Sequence, residues 1–242
     1  RIPGVGPWLK RLLQRLQEAL KVLLLPGSFF EGLGLRYIGP LNGHDLPRLC
    51  RTFERLRALR QPLLVHVLTE KGHGYQPASS APGIFHGTGE FDVATGAPNG
   101  TPAAATFSDE LGRLAAAAAE RDPKIVAITA GMCQGTGLDA FRRAFPARLH
   151  DVGIAEEHAA VFAAGLAAAG MRPVVAIYAS FMQRAMDYVY HDVCLQGLPV
   201  LFCLDRACIV PDGPTHHGVY DLAFWRTLPN LAVLQPADAT DF

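Results

Sequence analysis

The chain has little of several features that define common classes of protein. Its 22 Lys and Arg residues balance 22 Asp and Glu residues, so no basic excess indicates a nucleic-acid partner. No apolar run is long enough to cross a membrane, and the first residues do not form a signal peptide. The five cysteines are odd in number and include no Cys-x-x-Cys pair, which argues against a disulfide framework or a zinc site. We therefore expect neither nucleic acid nor membrane as a partner, and reduced core thiols in a cytoplasmic protein.

The composition that is present favours a folded domain with a large core, because half of the 242 residues are hydrophobic. Apolar runs rich in β-branched residues predict strands at 35–39, 63–69, 124–132, 173–180, 198–204 and 231–236. Helices are predicted over 46–59, 106–120, 159–169 and 181–191, with shorter ones at 141–145 and 221–226. We expect Ser108 to cap the helix at 106–120. The alternation predicts an α/β fold with parallel sheets flanked by helices.

Two further segments bear on the organisation of the chain. Residues 3–25 have leucines at helical spacing with basic residues between them, which predicts an amphipathic helix. Such a helix either packs on a core or partner, which is the commoner case, or binds a membrane surface. Residues 76–105 are rich in Pro, Gly, Ala and Ser and predict a linker between a domain at 1–75 and one at 106–242.

The stretch from Asp151 to Asp192 organises the rest of the chain. It places two adjacent carboxylates, Glu156 and Glu157, at the start of an apolar helix beside a buried strand. A carboxylate in such a place is partly removed from water, which suits a group that holds or passes a proton. The ordinary alternative is a first-turn glutamate that complements the helix dipole, and we prefer this interpretation for Glu157.

Several stretches of the chain resemble one enzyme family. They are GIAEEHA, PVVAIYASFMQRAMDYVYHD, FEGLGLRYIGPLNGHD and EKGHGYQPA. They are similar to 1-deoxy-D-xylulose-5-phosphate synthases, transketolase-like transferases that use thiamine diphosphate. The resemblance implies a thiamine-diphosphate-binding fold, incomplete at both ends, with 1–75 from the first, diphosphate-side domain and 106–242 from the second, pyrimidine-binding domain. It also implies that pyruvate and D-glyceraldehyde 3-phosphate condense to 1-deoxy-D-xylulose 5-phosphate and CO₂, the first step of non-mevalonate isoprenoid synthesis, in a cytoplasmic homodimer.

The resemblance also assigns roles to individual residues. In that family the glutamate after Ile-Ala, here Glu156, contacts N1′ of the cofactor's aminopyrimidine and promotes its imino tautomer. Phe181 is then the aromatic shelf under the cofactor and Tyr75 a cofactor contact. His86 and His216 become catalytic residues that handle the substrate or intermediate. The residues that bind the anionic substrates are then Tyr178, Arg184, Arg206 and Asp212. Without the resemblance, Tyr75 would be an ordinary turn tyrosine and His86 an exposed loop histidine.

The chain departs from the family at two places. Cys208 stands where the family has Gly, and the loop before Asp212 is one residue shorter. The family's Gly-Asp-Gly motif and downstream Asn, which hold the diphosphate and Mg²⁺, are expected outside this chain, since the 242 residues contain no Gly-Asp-Gly. We therefore expect no metal ligands here and an inactive fragment of a longer protein. Two alternatives remain open: another transketolase-type enzyme, and a non-catalytic half that needs a partner chain carrying the diphosphate site.

Overall fold

The computed structural model describes residues 27–99, 105–238 and 241, together with Leu9, Leu12, Leu13 and Leu16. The chain forms two compact units, residues 1–102 and 103–242, and the division falls inside the segment predicted to be a linker. Most of the helix predicted over 3–25 lies outside the described residues. Among the residues that are described, no helix is long and apolar enough to span a bilayer.

The first unit is built on a strand–helix–strand arrangement. Its elements are α1 (Ser28–Gly32), β1 (Arg36–Asn42), α2 (Leu46–Leu56), β2 (Leu63–Leu68) and α3 (Gln76–Ser80). Strands β1 and β2 pair in parallel, with Arg36 opposite Leu63 and Asn42 opposite Leu68. Helix α2 begins where the Asp45 side chain accepts a hydrogen bond from Arg48 N at 3.0 Å, which satisfies one free donor of the first turn. The predicted parallel pairing is confirmed here.

The second unit contains a larger parallel sheet. In chain order its elements are α4 (Phe107–Arg121), β3 (Ile125–Thr129), α5 (Asp139–Ala144), β4 (Leu149–Asp151), α6 (Glu156–Ala168), β5 (Arg172–Tyr178), α7 (Ala179–Met182), α8 (Met186–Tyr188), β6 (Leu201–Asp205) and α9 (Asp221–Trp225). The four strands lie in the order β4-β3-β5-β6, and each neighbouring pair is parallel. The α/β fold with parallel sheets flanked by helices is therefore confirmed.

Two apolar clusters cover the two faces of this sheet. One joins the alanines of α6 to Val175 and Ile177, and the other joins α4 and α5 to Ala127 and Ala176. Successive residues of a strand point to opposite faces, so these alternating residues place the clusters on opposite sides of β3 and β5. Because both faces are covered, the central strands are apolar throughout, as is usual for parallel sheets.

Several local predictions are wrong, and each has a physical reason. Thr106, not Ser108, caps α4: Thr106 and Asp109 exchange hydrogen bonds as a capping box, and Ser108 Oγ instead donates to Asp205 Oδ2 at 2.6 Å. The helix predicted over 181–191 is broken by a 3₁₀ turn at Gln183–Ala185 and a π turn at Val189–Cys194.

Two further predictions, a strand at 231–236 and core positions for all the cysteines, are wrong. Residues 231–236, all of them described, form no strand, since they pair with no neighbouring strand. Cys50 and Cys208 are exposed, so they are not core thiols, whereas Cys133 and Cys194 are buried as expected. Burial raises the pKa of the Cys203 thiol to about 12, and the charge of Asp205 acts in the same direction.

Candidate functional site

The candidate site lies in the second unit, at the carboxyl ends of neighbouring parallel strands. Strand β5 ends at Tyr178, β6 ends at Asp205, and α6 begins at Glu156. Open α/β sheets commonly place ligand sites at this edge, because loops from several strands converge there.

Glu156 is the most buried charged residue of the site. Its side chain is 1% exposed, and Arg184 Nη1 donates a hydrogen bond to Oε2 at 3.3 Å. Among the described residues Arg184 is the sole side-chain partner of this carboxylate. A buried charge with a single, half-exposed counter-charge is costly unless further donors reach it. The carboxylate therefore retains acceptor capacity for a donor from a ligand.

Three rings pack together at the ends of β5 and α7 and on the loop after β6. The ring centroids of Tyr178 and Phe181 lie 5.5 Å apart, and those of Phe181 and His216 lie 5.2 Å apart. Tyr178 and His216 complete the cluster at 6.3 Å. Such edge and offset contacts fix the ring planes, so the cluster supplies a rigid apolar wall. Burial raises the pKa of the Tyr178 phenol, Arg206 opposes this rise, and the carboxylates of Asp205 and Asp212 add to it, so Tyr178 is a donor at neutral pH.

Arg206 is held between two carboxylates and a tyrosine ring. Its Nη1 donates to Asp205 Oδ1 at 3.1 Å, and its Nε lies 3.4 Å from Asp212 Oδ2. The guanidinium carbon lies 4.4 Å from the centre of the Tyr178 ring. Burial lowers the pKa of Arg206, but Asp205, through its charge and its hydrogen bond, and then Tyr178 and Asp212 together raise it. Arg206 is thus a permanent cation whose fixed position orders the loop around it.

The loop after β6 has an unusual backbone. Arg206 and Cys208 have φ values of 58° and 72°, in the left-handed region that favours glycine. Cys208 and Gly218 close the loop by exchanging backbone hydrogen bonds of 3.2 and 2.9 Å. Cys208 stands where the resembling family has Gly, and its left-handed φ explains why glycine suits that position.

The structure brings residues to which the sequence assigned roles into two groups, the pair of Glu156 and Arg184 and a group formed by Tyr178, Phe181, Arg206 and Asp212. His216 joins the second group through its ring contacts with Tyr178 and Phe181. Tyr75 and His86 lie in the first unit. There Tyr75 Oη donates to Val93 O at 2.9 Å and its ring packs on Phe85 and Phe91, while His86 is exposed in a 3₁₀ turn.

Three residues of the site were missed from the sequence. Gly135 O accepts a hydrogen bond from Arg206 Nη1 at 2.8 Å, and a side chain at Gly135 would overlap the Tyr178 hydroxyl. Asp205 holds Arg206 and is itself held by Ser108. The loop at 133–138 follows strand β3, and this position at the sheet edge was the signal that could have identified Gly135. Within the described residues no group of three His, Cys, Asp or Glu side chains is arranged to hold a metal ion.

Comparison with known proteins identifies the class to which this fold and site belong. Residues 103–242 match the family described as the transketolase pyrimidine-binding domain, and the chain belongs to that family. Residues 2–69 match the family described as 1-deoxy-D-xylulose-5-phosphate synthase. The resemblance noted in the sequence, with its thiamine-diphosphate-binding type of α/β fold, is thereby confirmed.

The curated relatives agree with both matches. The chain is 53% identical over 242 residues to 1-deoxy-D-xylulose-5-phosphate synthase 1 of Geobacter sulfurreducens, covering 99% of this chain and 38% of the relative. It is 51% identical over 243 residues to the 1-deoxy-D-xylulose-5-phosphate synthase of Desulforudis audaxviator, covering 100% of this chain and 38% of the relative. The chain thus spans well under half the length of these relatives.

Solved structures show the same fold at lower identity. A transketolase from Campylobacter jejuni matches with a TM-score of 0.53 and 16% identity, over 91% of this chain and 46% of that one. A transketolase from Leishmania mexicana matches with a TM-score of 0.50 and 21% identity, over 58% and 23%. These two likenesses show the fold of the chain.

Proposed function

We propose that this chain is part of a thiamine-diphosphate-dependent 1-deoxy-D-xylulose-5-phosphate synthase. The enzyme would condense pyruvate with D-glyceraldehyde 3-phosphate and release CO₂, the first step of the non-mevalonate route to isoprenoids. The observation that carries the proposal is the buried Glu156 carboxylate at the start of α6, in a chain about half identical to synthases of that name.

The residues of the second unit fit the aminopyrimidine half of the cofactor. Glu156 is 1% exposed and has one side-chain partner, Arg184, so its carboxyl can share a hydrogen-bonded proton with the ring nitrogen N1′. Phe181, held by Tyr178 and His216, offers a flat apolar surface against which a ring can lie. When bound, thiamine diphosphate supplies the electron sink that lets an acyl group act as a nucleophile.

The chain's own groups then divide into a proton-holding part and an anion-binding part. Glu156 would pass a proton to and from N1′ in a place from which water is excluded, where hydrogen bonds are stronger. Arg184 is half exposed, so its remaining donors can reach a substrate carboxylate. Arg206 lies beside Tyr178 and would bind the phosphate end of the second substrate, with Asp212 contacting its hydroxyls.

His216 and His86 would move protons to and from the substrate, and Tyr75 would contact the cofactor. His216 is packed on Phe181, so it would stand over the cofactor ring, whereas the two first-unit residues rest on the family resemblance. We propose that Mg²⁺ and the diphosphate are bound by residues outside the 242 of this chain, since these contain no Gly-Asp-Gly.

The assembly and compartment are also proposals. We propose a homodimer, because apolar side chains such as Ile154 and Val161 around the start of α6 are 85% and 41% exposed. We propose a cytoplasmic location, because the five cysteines are free and a reducing compartment keeps them so.

The paired variants Glu156→Gln and Glu157→Gln test the proposed function. In the complete enzyme Glu156→Gln keeps a hydrogen-bonding side chain but loses the carboxylate, so cofactor binding should survive. Exchange of the C2 proton of bound thiamine diphosphate, followed by NMR in D₂O, should slow by about 10²–10⁴-fold. Glu157→Gln is the matched control, because it changes a helix-start charge worth about 0.3–1 kcal/mol and should leave exchange nearly intact. Equal slowing in both variants, or slowing in Glu157→Gln alone, would contradict the assignment.

A further inference from the structure

Asp221 is a buried acidic residue that the proposed mechanism does not use. It begins α9 and is 5% exposed. Gln183 Nε2 donates a long hydrogen bond of 3.5 Å to its Oδ1, while Oδ2 is buried and has no hydrogen-bond partner among the described residues. An aspartate at an exposed helix start would complement the dipole without this desolvation cost, so helix stability alone does not explain the burial.

One side of Asp221 lies against the loop that carries the site residues. A side chain at Gly218 would overlap Asp221 Oδ2 and approach Ala179 Cβ to 2.9 Å. Gly218 is the residue that closes the loop 208–218 through its two hydrogen bonds with Cys208. The loop therefore ends directly on the Asp221 carboxyl, and it carries Asp212 and His216.

The other side of Asp221 contacts the segment that carries the aromatic wall. Its partner Gln183 immediately precedes Arg184, which pairs with Glu156. Phe181 lies two residues before Gln183 and packs on His216 with ring centroids 5.2 Å apart. The two elements that meet at the site thus also meet at Asp221.

We propose that Asp221 is a positioning residue that ties the loop 208–218, with His216, to the segment 179–185, with Phe181 and Arg184. Because the carboxyl contacts both elements at once, it fixes the distance between the histidine and the aromatic wall. That these elements serve catalysis rests on the proposed function. The link that Asp221 makes between them, here called the tie, does not rest on it.

NMR of the His216 ring in the full chain tests the tie without cofactor or substrate. The ring current of Phe181 displaces the Hδ2 and Hε1 resonances of His216, and a Phe181→Leu variant marks their positions without that ring. In Asp221→Ala we expect both resonances to move most of the way to the Phe181→Leu positions. In Asp221→Asn, which keeps the volume and an acceptor for Gln183, they should stay near the wild-type positions.

A matched control separates positioning from general destabilisation. Phe141→Leu weakens the core cluster on the other face of the sheet, so below its melting temperature it should leave the His216 resonances unchanged. Wild-type resonances in folded Asp221→Ala would overturn the proposal. If Asp221→Ala does not fold, Gln183→Leu takes its place: the same displacement supports the tie, and wild-type resonances overturn it. Failure of the proposed function would appear in the C2-proton exchange of Glu156→Gln and would leave these resonances as they are.

Discussion

The two units of the chain bury their sheets to very different extents. In the second unit Ala127, Ile128 and Val175 are 0% exposed, because helices cover both faces of β3 and β5. In the first unit the residues of β2 are half-buried, and Leu68 at its end is 53% exposed. Among the described residues of the first unit, a two-stranded sheet removes little apolar surface from water, whereas the four-stranded sheet of the second unit, covered on both faces, removes much.

This difference explains where the candidate site can be rigid. A catalytic group keeps its geometry only when its supporting residues are themselves fixed by packing. Glu156 begins a helix whose alanines lie on Val175 and Ile177, so its position is set by the best-buried part of the molecule. Tyr75 and His86 belong to the unit with the less buried sheet.

The largest expected effect comes from truncating the core of each unit. Phe141, at 0% exposure, fills the cluster between α4, α5 and the sheet, so Phe141→Ala should cost about 3–5 kcal/mol of unfolding free energy. Leu49 on α2 is 9% exposed, and Leu49→Ala should cost about 2 kcal/mol. Hydrogen exchange measured separately in peptides of the two units gives both values. A larger loss for Leu49→Ala would refute the contrast in burial.

An intermediate effect is expected from pH, which should change the stability of the two units in opposite directions. Burial raises the pKa of Asp221 in the second unit, and the Gln183 hydrogen bond opposes it. Its contribution to stability is therefore fully present below the unfolded pKa of about 3.9 and is lost as the pH rises through the folded pKa. Asp221→Asn should remove this decline in the second unit.

Asp92 of the first unit gives the opposite sign. Hydrogen bonds from the backbone and then the side chain of Thr95 lower its pKa. Its stabilisation is present above the unfolded pKa and is lost as the pH falls through the folded pKa. Hydrogen exchange corrected for intrinsic rates should show the turn at 92–97 loosening in acid, and Thr95→Ala should weaken that response. If acid changed the stability of both units in the same direction, the roles given to Asp221 and Asp92 would be contradicted.

The smallest expected effect comes from one substitution made at two cysteines. Cys208 has a φ of 72°, so Cys208→Gly should remove left-handed strain and raise stability by up to about 1 kcal/mol. Cys50 lies inside α2, where Cys50→Gly should lower stability by about 0.5–1 kcal/mol. Denaturant unfolding of both variants measures the difference. A loss at Cys208 as large as that at Cys50 would show that no strain is relieved.

The sequence by itself determined the alternation of strands and helices and the place of Glu156. Local patterns carry this information: a β-branched run such as PVVAIYAS predicts a buried strand, and an alanine-rich run after two carboxylates predicts the start of a helix. The resemblance of GIAEEHA and its neighbours added the family, which residues 103–242 and the curated relatives confirm.

Only the tertiary structure decided which polar groups meet. Arg184 pairs with Glu156 across 28 residues of chain, and Arg206 bonds to Gly135 across 71. Ser108 loses the capping role because Asp205, 97 residues away, takes its hydroxyl, and Thr106 caps the helix instead. Residues 231–236 have the composition of a strand, but no strand among the described residues pairs with them, and a strand needs a neighbour to satisfy its backbone. Such pairings depend on how the sheet brings distant loops to one edge. A local sequence pattern does not specify contacts between residues that are far apart in the chain.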